Sequence, residues 1–171
     1  RFTYILAGDG DLQEPISLGA STLAGHWKLS NLIMFYDKND VQIAGKTSRT
    51  DSTNYTKLFE AMKWHVQEID GHNHQEIRDA LKKAQTDVRP SIIIGKTTIA
   101  KGSYSLENNP KSHGAPFSDD EIFKTKNKLG LPQKSFYCPK EIIDHFQRNF
   151  NSLNDKVEKI NEKFNTKLPK Y

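Results

Sequence analysis

Ala7-Gly8-Asp9-Gly10, answered by Tyr36-Asp37-Lys38-Asn39-Asp40-Val41, is the stretch on which the fold turns. An apolar run, Phe2 to Ala7, breaks at Gly8-Asp9-Gly10. A helix-compatible segment follows, and a second apolar run, Leu32 to Tyr36, breaks at Asp37-Lys38-Asn39. That pattern predicts a βαβ unit with a polar residue at each strand end. In an open parallel sheet, ligands bind beyond the carboxyl ends of the strands, so Asp9 and Asn39 are expected to meet there. A carboxylate with an amide oxygen suits a hard cation, and magnesium fills the rest of its octahedron with phosphate oxygens and water. Gly8 and Gly10 let backbone approach a phosphate, and the following helix N-terminus favours its charge. Without Asn39, Gly8-Asp9-Gly10 reads equally well as a tight turn with Asp9 capping the next helix.

The spacing from Gly8-Asp9-Gly10 to Asn39 resembles the thiamine-diphosphate motif. More closely, Gly8 to Glu14, Ser21 to His26 and Asn31 to Asn39 are similar to transketolase. The resemblance continues through Asp70-Gly71-His72-Asn73, Lys96-Thr97-Thr98-Ile99 and Ser112-His113-Gly114-Ala115-Pro116, covering most of residues 1 to 150. The last element separates transketolases from keto-acid dehydrogenases. A nicotinamide dehydrogenase is disfavoured because Gly8-Asp9-Gly10 lacks that fingerprint's third glycine.

The resemblance implies an α/β fold, an open parallel sheet with helices on both faces, of the thiamine-diphosphate-binding type and present as a partial domain. It implies residues 1–135 as the C-terminal part of a diphosphate-binding domain and 136–171 as a helical extension toward a missing pyrimidine-binding domain. The implied cofactors are thiamine diphosphate and Mg2+ (or Ca2+). Asp9, Asn39 and the Val41 carbonyl are the expected metal ligands. Gly8, Asp9, Gly10, Asn39, Ile99 and His113 are the expected cofactor contacts, and His113 and Glu14 the expected catalytic residues. Val41 also follows from spacing, since carbonyls recur on one side every second residue of extended chain. His113, in a glycine-flanked loop, is read as a phosphate donor or proton shuttle, with a plain surface histidine as its rival. Ile99 matches a family residue that packs against the cofactor, with plain core as its rival.

The implied activity is transfer of a two-carbon glycolaldehyde unit from a ketose phosphate to an aldose phosphate in the pentose phosphate pathway. The implied partners are a homodimer mate or a complementary chain supplying the pyrimidine domain. The chain opens inside a strand and without Met, so a piece of a longer protein is expected, inactive in isolation. The rival reading is a non-catalytic cofactor-binding subunit, or assembly partner, of a split enzyme.

The chain has 171 residues, one domain's worth, with 35% hydrophobic and 27% charged residues. No run approaches the roughly 20 apolar residues of a membrane helix, and no signal peptide is visible, so a cytoplasmic setting is expected. Cys138 is the lone cysteine, which rules out an internal disulfide; it is expected to be buried. The net charge of +4 belongs to the tail: residues 124 to 171 hold 11 Lys+Arg against 5 Asp+Glu, leaving 14 against 16 elsewhere. Lysines and glutamates alternate there at helical spacing, so a solvated helix face is expected rather than nucleic-acid binding.

Along the chain, Pro15 opens a helix to Trp27 that is rich in small residues, at a position where transketolases usually carry glycine. By resemblance this helix lies near a dimer interface, and His26 on it is read as a packing histidine. Val41 to Ile43 is a short extended piece and Gly45 to Thr53 a polar loop. Helices are expected over Asn54–Lys63 and Gln75–Thr86, and strands over Trp64–Ile69 and Pro90–Thr97. His72 and His74 are read as turn residues, and His65 and His145 have no partner in sequence. The long loop Ala100 to Phe117 is of a length that is commonly functional. Ser118 to Glu121 reads as a capping box whose helix runs to about Gly130. A last helix from Pro139 toward Leu168 carries an apolar stripe suited to packing a partner helix.

Overall fold

A computed structural model of the protein describes residues 1–43 and 45–164. It falls into two units, Arg1–Leu129 and Gly130 onward. In the first, β1 (Thr3–Gly8), β2 (Leu32–Lys38), β5 (His65–Asp70) and β6 (Ser91–Lys96) form one parallel sheet in the order β1-β2-β6-β5. A two-stranded hairpin, β3 (Val41–Gln42) and β4 (Gly45–Lys46), follows β2. The helices are α1 (Asp9–Gln13), α2 (Pro15–His26), α3 (Tyr55–Ala61), α4 (His74–Ala84) and α5 (Asp119–Lys128). The expected parallel α/β sheet is present.

Side-chain alternation divides the core between the two sheet faces. Met34, Tyr36, Ile92 and Ile94 pack with Leu12, Ala24, Tyr55 and Phe59 from α1, α2 and α3. Ile33 and Ile93, on the opposite face, pack with Ala80 and Ala84 from α4. The central strand β6 is therefore covered on both sides, and Ile92 and Ile93 are fully buried. Each contributes about 1.5–3 kcal/mol of burial. Trp64 closes the first cluster, donating its indole N–H to Ser21 O at 2.9 Å and stacking edge-on against Phe59. Gly25 lets α2 settle beside this corner, since a Cβ there would stand 1.8 Å from the Met62 carbonyl oxygen.

The sheet register levels the strand ends: Gly8 pairs with Asp37, Asp37 with Gly95, and Ile69 with Gly95. The residues just past that row, from Asp9, Asn39, His72 and Thr97 onward, therefore share one rim. Pro15 occupies the first turn of α2, where its missing N–H costs nothing.

Several expectations change. Asp9–Gln13 forms a short separate helix, and the polar loop after Val41 contains a hairpin strand. His26 is exposed, because α2 turns Ser21, Ala24 and Gly25 inward and its last residue falls outside that stripe. Cys138 is exposed as well. His65 has partners, Ser91 Oγ at 3.1 Å and Asp87 at 3.7 Å, and its burial holds its pKa below the ordinary value. Ser118 does cap α5, accepting from the Glu121 N–H at 3.2 Å. Glu121 does not complete the box; its carboxylate accepts instead from the Ser105 N–H at 2.8 Å and the Ser105 hydroxyl at 2.7 Å.

The second unit carries α6 (Lys140–Phe164), with Ile142, Ile143, Phe146, Phe150 and Leu153 exposed along it. The part of this helix expected beyond 164 lies outside the described residues. No described helix is long and apolar enough to cross a membrane.

Candidate functional site

Asp9 is the first residue past β1 and, at 4% exposure, one of the few buried charged groups. Its Oδ1 accepts from the Tyr36 hydroxyl at 2.7 Å and its Oδ2 from the Asp40 N–H at 3.1 Å. Burial raises its pKa above the usual carboxylate value, and the nearby Asp40 charge adds to that. The bonds from Tyr36 and from the Asn39 and Asp40 amides pull the other way. Among the described residues Asp9 is in no ion pair, so its charge is held by dipoles alone. Tyr36 is pushed far above its ordinary pKa by burial and by this carboxylate, which keeps the proton on the phenol.

Asn39 reaches the same corner through a tight turn. Asp40 adopts φ +60°, a left-handed conformation that costs a non-glycine residue about 1 kcal/mol or more. That reversal lets the Val41 N–H donate to Asn39 Oδ1 at 3.0 Å and folds β3 back beside the rim. The Asp40 carbonyl then accepts from the Thr47 N–H at 3.1 Å, and Gln13 Nε2 donates to Gln42 Oε1 at 3.0 Å, tying α1 to the hairpin. Val41 is buried at 2% exposure. Tyr55 stacks edge-on against Tyr36, with ring centroids 5.5 Å apart, and donates to Asp51 Oδ2 at 2.7 Å.

Two clefts flank this corner. One, of about 570 Å³, is lined by Gly8, Asn39, His72 and Ile99 among others. The other, of about 420 Å³, is lined by Asp9, Tyr36, Asp40, Thr47 and Asp51 among others. Gly8, Asn39 and Ile99 thus share the first cleft, Asp9 lines the second, and Val41 lines neither but donates its N–H to Asn39. Gly10 is exposed, and a Cβ added to it would meet nothing within 4 Å, so its backbone is open to approach. His113 is exposed on the long loop, its N–H donating to Pro110 O at 3.0 Å. The turn just before it, Pro110–Ser112, packs against β4. Glu14 is exposed at the junction of α1 and α2. Among the described residues, neither His113 nor Glu14 lines these two clefts.

The donor chemistry fits a hard divalent cation. A buried carboxylate lacking a cationic partner is costly to keep ionised, and the bonds Asp9 accepts from Tyr36 and from the Asn39 and Asp40 amides leave a carboxylate lone pair open. The Asn39 amide oxygen likewise has one free lone pair. Tyr36 is the functional residue that sequence reasoning missed; a tyrosine whose ring sits in a buried strand needs a partner for its hydroxyl, and that was the available signal.

The parallel sheet carries this oxygen-rich rim past its strand ends, where open α/β sheets as a class bind their ligands. The family model described as "Transketolase, thiamine diphosphate binding domain" matches residues 1–171, and the chain belongs to that family. It is 44% identical over 142 residues to the transketolase of Sinorhizobium medicae, spanning 83% of this chain and 20% of that protein. It is 38% identical over 174 residues to the transketolase of Bacillus subtilis, spanning 100% of this chain and 26% of that one. The crystal structure of transketolase from Campylobacter jejuni superposes with a TM-score of 0.80 at 44% identity, covering 82% of this chain and 22% of that one. The chain spans about a quarter or less of the length of these relatives.

Proposed function

We propose that this chain is the cation- and diphosphate-holding part of a transketolase that moves a two-carbon unit from a ketose phosphate to an aldose phosphate. The single observation that carries the reading is Asp9, a buried carboxylate with no ion-pair partner among the described residues, bonded to the backbone of the Asn39 turn. Asp9, Asn39 and the Val41 carbonyl would hold Mg2+ or Ca2+, with diphosphate oxygens and water completing the sphere. Gly10 would present its N–H to the diphosphate, and Ile99 would pack against the cofactor. His113 would donate to a phosphate oxygen or hand on a proton at its ring nitrogen, and Glu14 would act across a subunit boundary. Thiamine diphosphate, when bound, would supply the carbon nucleophile that adds to the ketose carbonyl and the electron sink that lets the C2–C3 bond break.

The short span relative to the relatives supports the corollary that these 171 residues do not turn over alone. The second reading is a cofactor-binding subunit of a split enzyme working with a homodimer mate or a complementary chain. Calorimetric titration with thiamine diphosphate tests the function. Binding in Mg2+ that is abolished by chelation and by Asp9→Ala is expected, and binding indifferent to both would end the proposal. Turnover of ketose and aldose phosphates by the purified chain would defeat the corollary. Turnover appearing only with an added complementary chain would favour the split enzyme.

A further inference from the structure

We infer that His72 is a positioning residue, latching the chain that leaves β6 and so fixing Ile99 at the rim beside Asn39. That Ile99 then faces the cofactor rests on the function proposed above. The Thr98 N–H donates to His72 Nε2 at 2.8 Å, a bond between segments 26 residues apart. An amide nitrogen can only donate, so Nε2 is the acceptor and the ring proton sits on Nδ1.

The two segments are pressed together around this bond. The Gly71 N–H donates to Lys96 O at 2.8 Å. A Cβ on Gly71 would stand 2.5 Å from Thr97 Cγ2 and 3.1 Å from Lys96 O, so glycine is what lets the β5–α4 turn approach the end of β6. The turn that presents the ring is itself closed. The His72 N–H donates to Asp70 Oδ1 at 2.9 Å, and the Asp70 N–H donates to Glu76 Oε2 at 2.9 Å.

On the other side, the Thr97 N–H donates to Lys38 O at 3.1 Å and the Thr97 hydroxyl bonds Asp37, which ties Thr97 to β2. Thr98 is the next residue, and its amide is turned the opposite way, into the His72 ring. Ile99 comes directly after, and its carbonyl accepts from the Asn108 N–H at 2.9 Å, where the long loop returns. Backbone is therefore held to β2 at Thr97, to the β5 turn at Thr98 and to the loop at Ile99, three successive residues pinned in three directions. A histidine serving its own turn would not reach across to the strap that carries Ile99. His72, Ile99 and Asn39 then line one cleft.

The variants His72→Ala, which removes the acceptor, and His72→Gln, which offers Oε1 in its place, test this in the whole chain. Three readouts apply: hydrogen exchange of the Thr98 amide without cofactor, the Ile99 methyl resonance, and calorimetric affinity for thiamine diphosphate in Mg2+. His72→Ala is expected to speed Thr98 exchange at least about tenfold, to shift the Ile99 methyl signal and to weaken binding by about 3- to 10-fold, the worth of one hydrogen bond. His72→Gln is expected to restore all three. Thr98 exchange and an Ile99 signal unchanged in His72→Ala would overturn the latch. Cofactor affinity equal to wild type in that variant would overturn the part given to the latched Ile99 in holding the cofactor. A wild-type chain that binds no thiamine diphosphate would sink the cofactor reading alone, because the exchange and methyl readouts still decide the latch. If His72→Ala does not fold, the through-hydrogen-bond nitrogen coupling between Thr98 and His72 in the wild-type chain decides: present, the latch stands, and absent, it falls.

Discussion

Tyr36 and Asp9 sit 27 residues apart, yet the Tyr36 hydroxyl donates to Asp9 Oδ1 at 2.7 Å in a buried corner. The register explains the meeting: Tyr36 lies opposite Ala7, two residues before Asp9, on the sheet face that α1 covers. The Asp9 carboxylate is thereby aimed by a strand residue rather than by its own short helix.

Replacing Tyr36→Phe keeps the ring packing against Tyr55 and removes one of the dipoles holding Asp9. The unsatisfied buried oxygen is expected to cost about 1–3 kcal/mol in urea unfolding. Because that donor lowers the Asp9 pKa, its loss is expected to raise it and to weaken Mg2+-dependent cofactor affinity further. Carbon-13 titration of the Asp9 carboxyl reads the first effect and calorimetry the second. An unshifted Asp9 titration would show that Tyr36 does not tune this carboxylate.

The Asp40 turn yields a prediction of opposite sign. Asp40 holds φ +60°, where glycine has no steric penalty. Asp40→Gly also removes the charge that raises the Asp9 pKa. Metal affinity at neutral pH is expected to stay within about threefold of wild type, with unfolding stability unchanged or up to about 1 kcal/mol higher. A collapse of stability would mean that the Asp40 side chain, not its backbone, holds the hairpin.

Gly25→Ala is expected to be among the most damaging single-methyl additions in the chain. The new Cβ would stand 1.8 Å from the Met62 carbonyl oxygen and 3.3 Å from the Trp64 ring, so α2 must lift from the corner it packs. Overpacking of this kind costs about 1–3 kcal/mol or more, readable as a lowered thermal midpoint and altered Trp64 fluorescence. Gly19→Ala on the same helix meets nothing within 4 Å and is expected to be neutral or stabilising.

How much of this was legible follows from what each residue type signals. The sheet was readable because β6 carries the unbroken apolar run Ile92-Ile93-Ile94, as suits a strand covered on both faces. Asp9 and Asn39 were readable because each ends an apolar run. Tyr36 was hidden inside such a run, where its ring and its hydroxyl serve different masters. The helix Asp9–Gln13 was not readable, since five residues fall far below what nucleates a helix alone; the sheet and hairpin impose it. The β3–β4 hairpin hangs on the left-handed Asp40, which no periodicity announces. Cys138 was misjudged from the habit of its residue type, which carries no information about where its segment lies.

Glu121 links the long loop to α5, and its charge state sets a pH window. Its carboxyl accepts from the Ser105 hydroxyl and N–H, and these bonds hold its pKa below the ordinary glutamate value. An unfolded glutamate titrates near about 4.3. For a depressed acid the folded state binds fewer protons, so the contribution is fully present above that unfolded value and is lost as pH falls through the folded one. Protection of the Ser105 amide, corrected for intrinsic exchange, is therefore expected to be constant from pH 7 to 5 and to fall below about pH 4. Glu121→Gln is expected to lower that protection already at pH 7 and to flatten its acid limb. An acid limb that survives in Glu121→Gln would assign the loop's anchoring to another group.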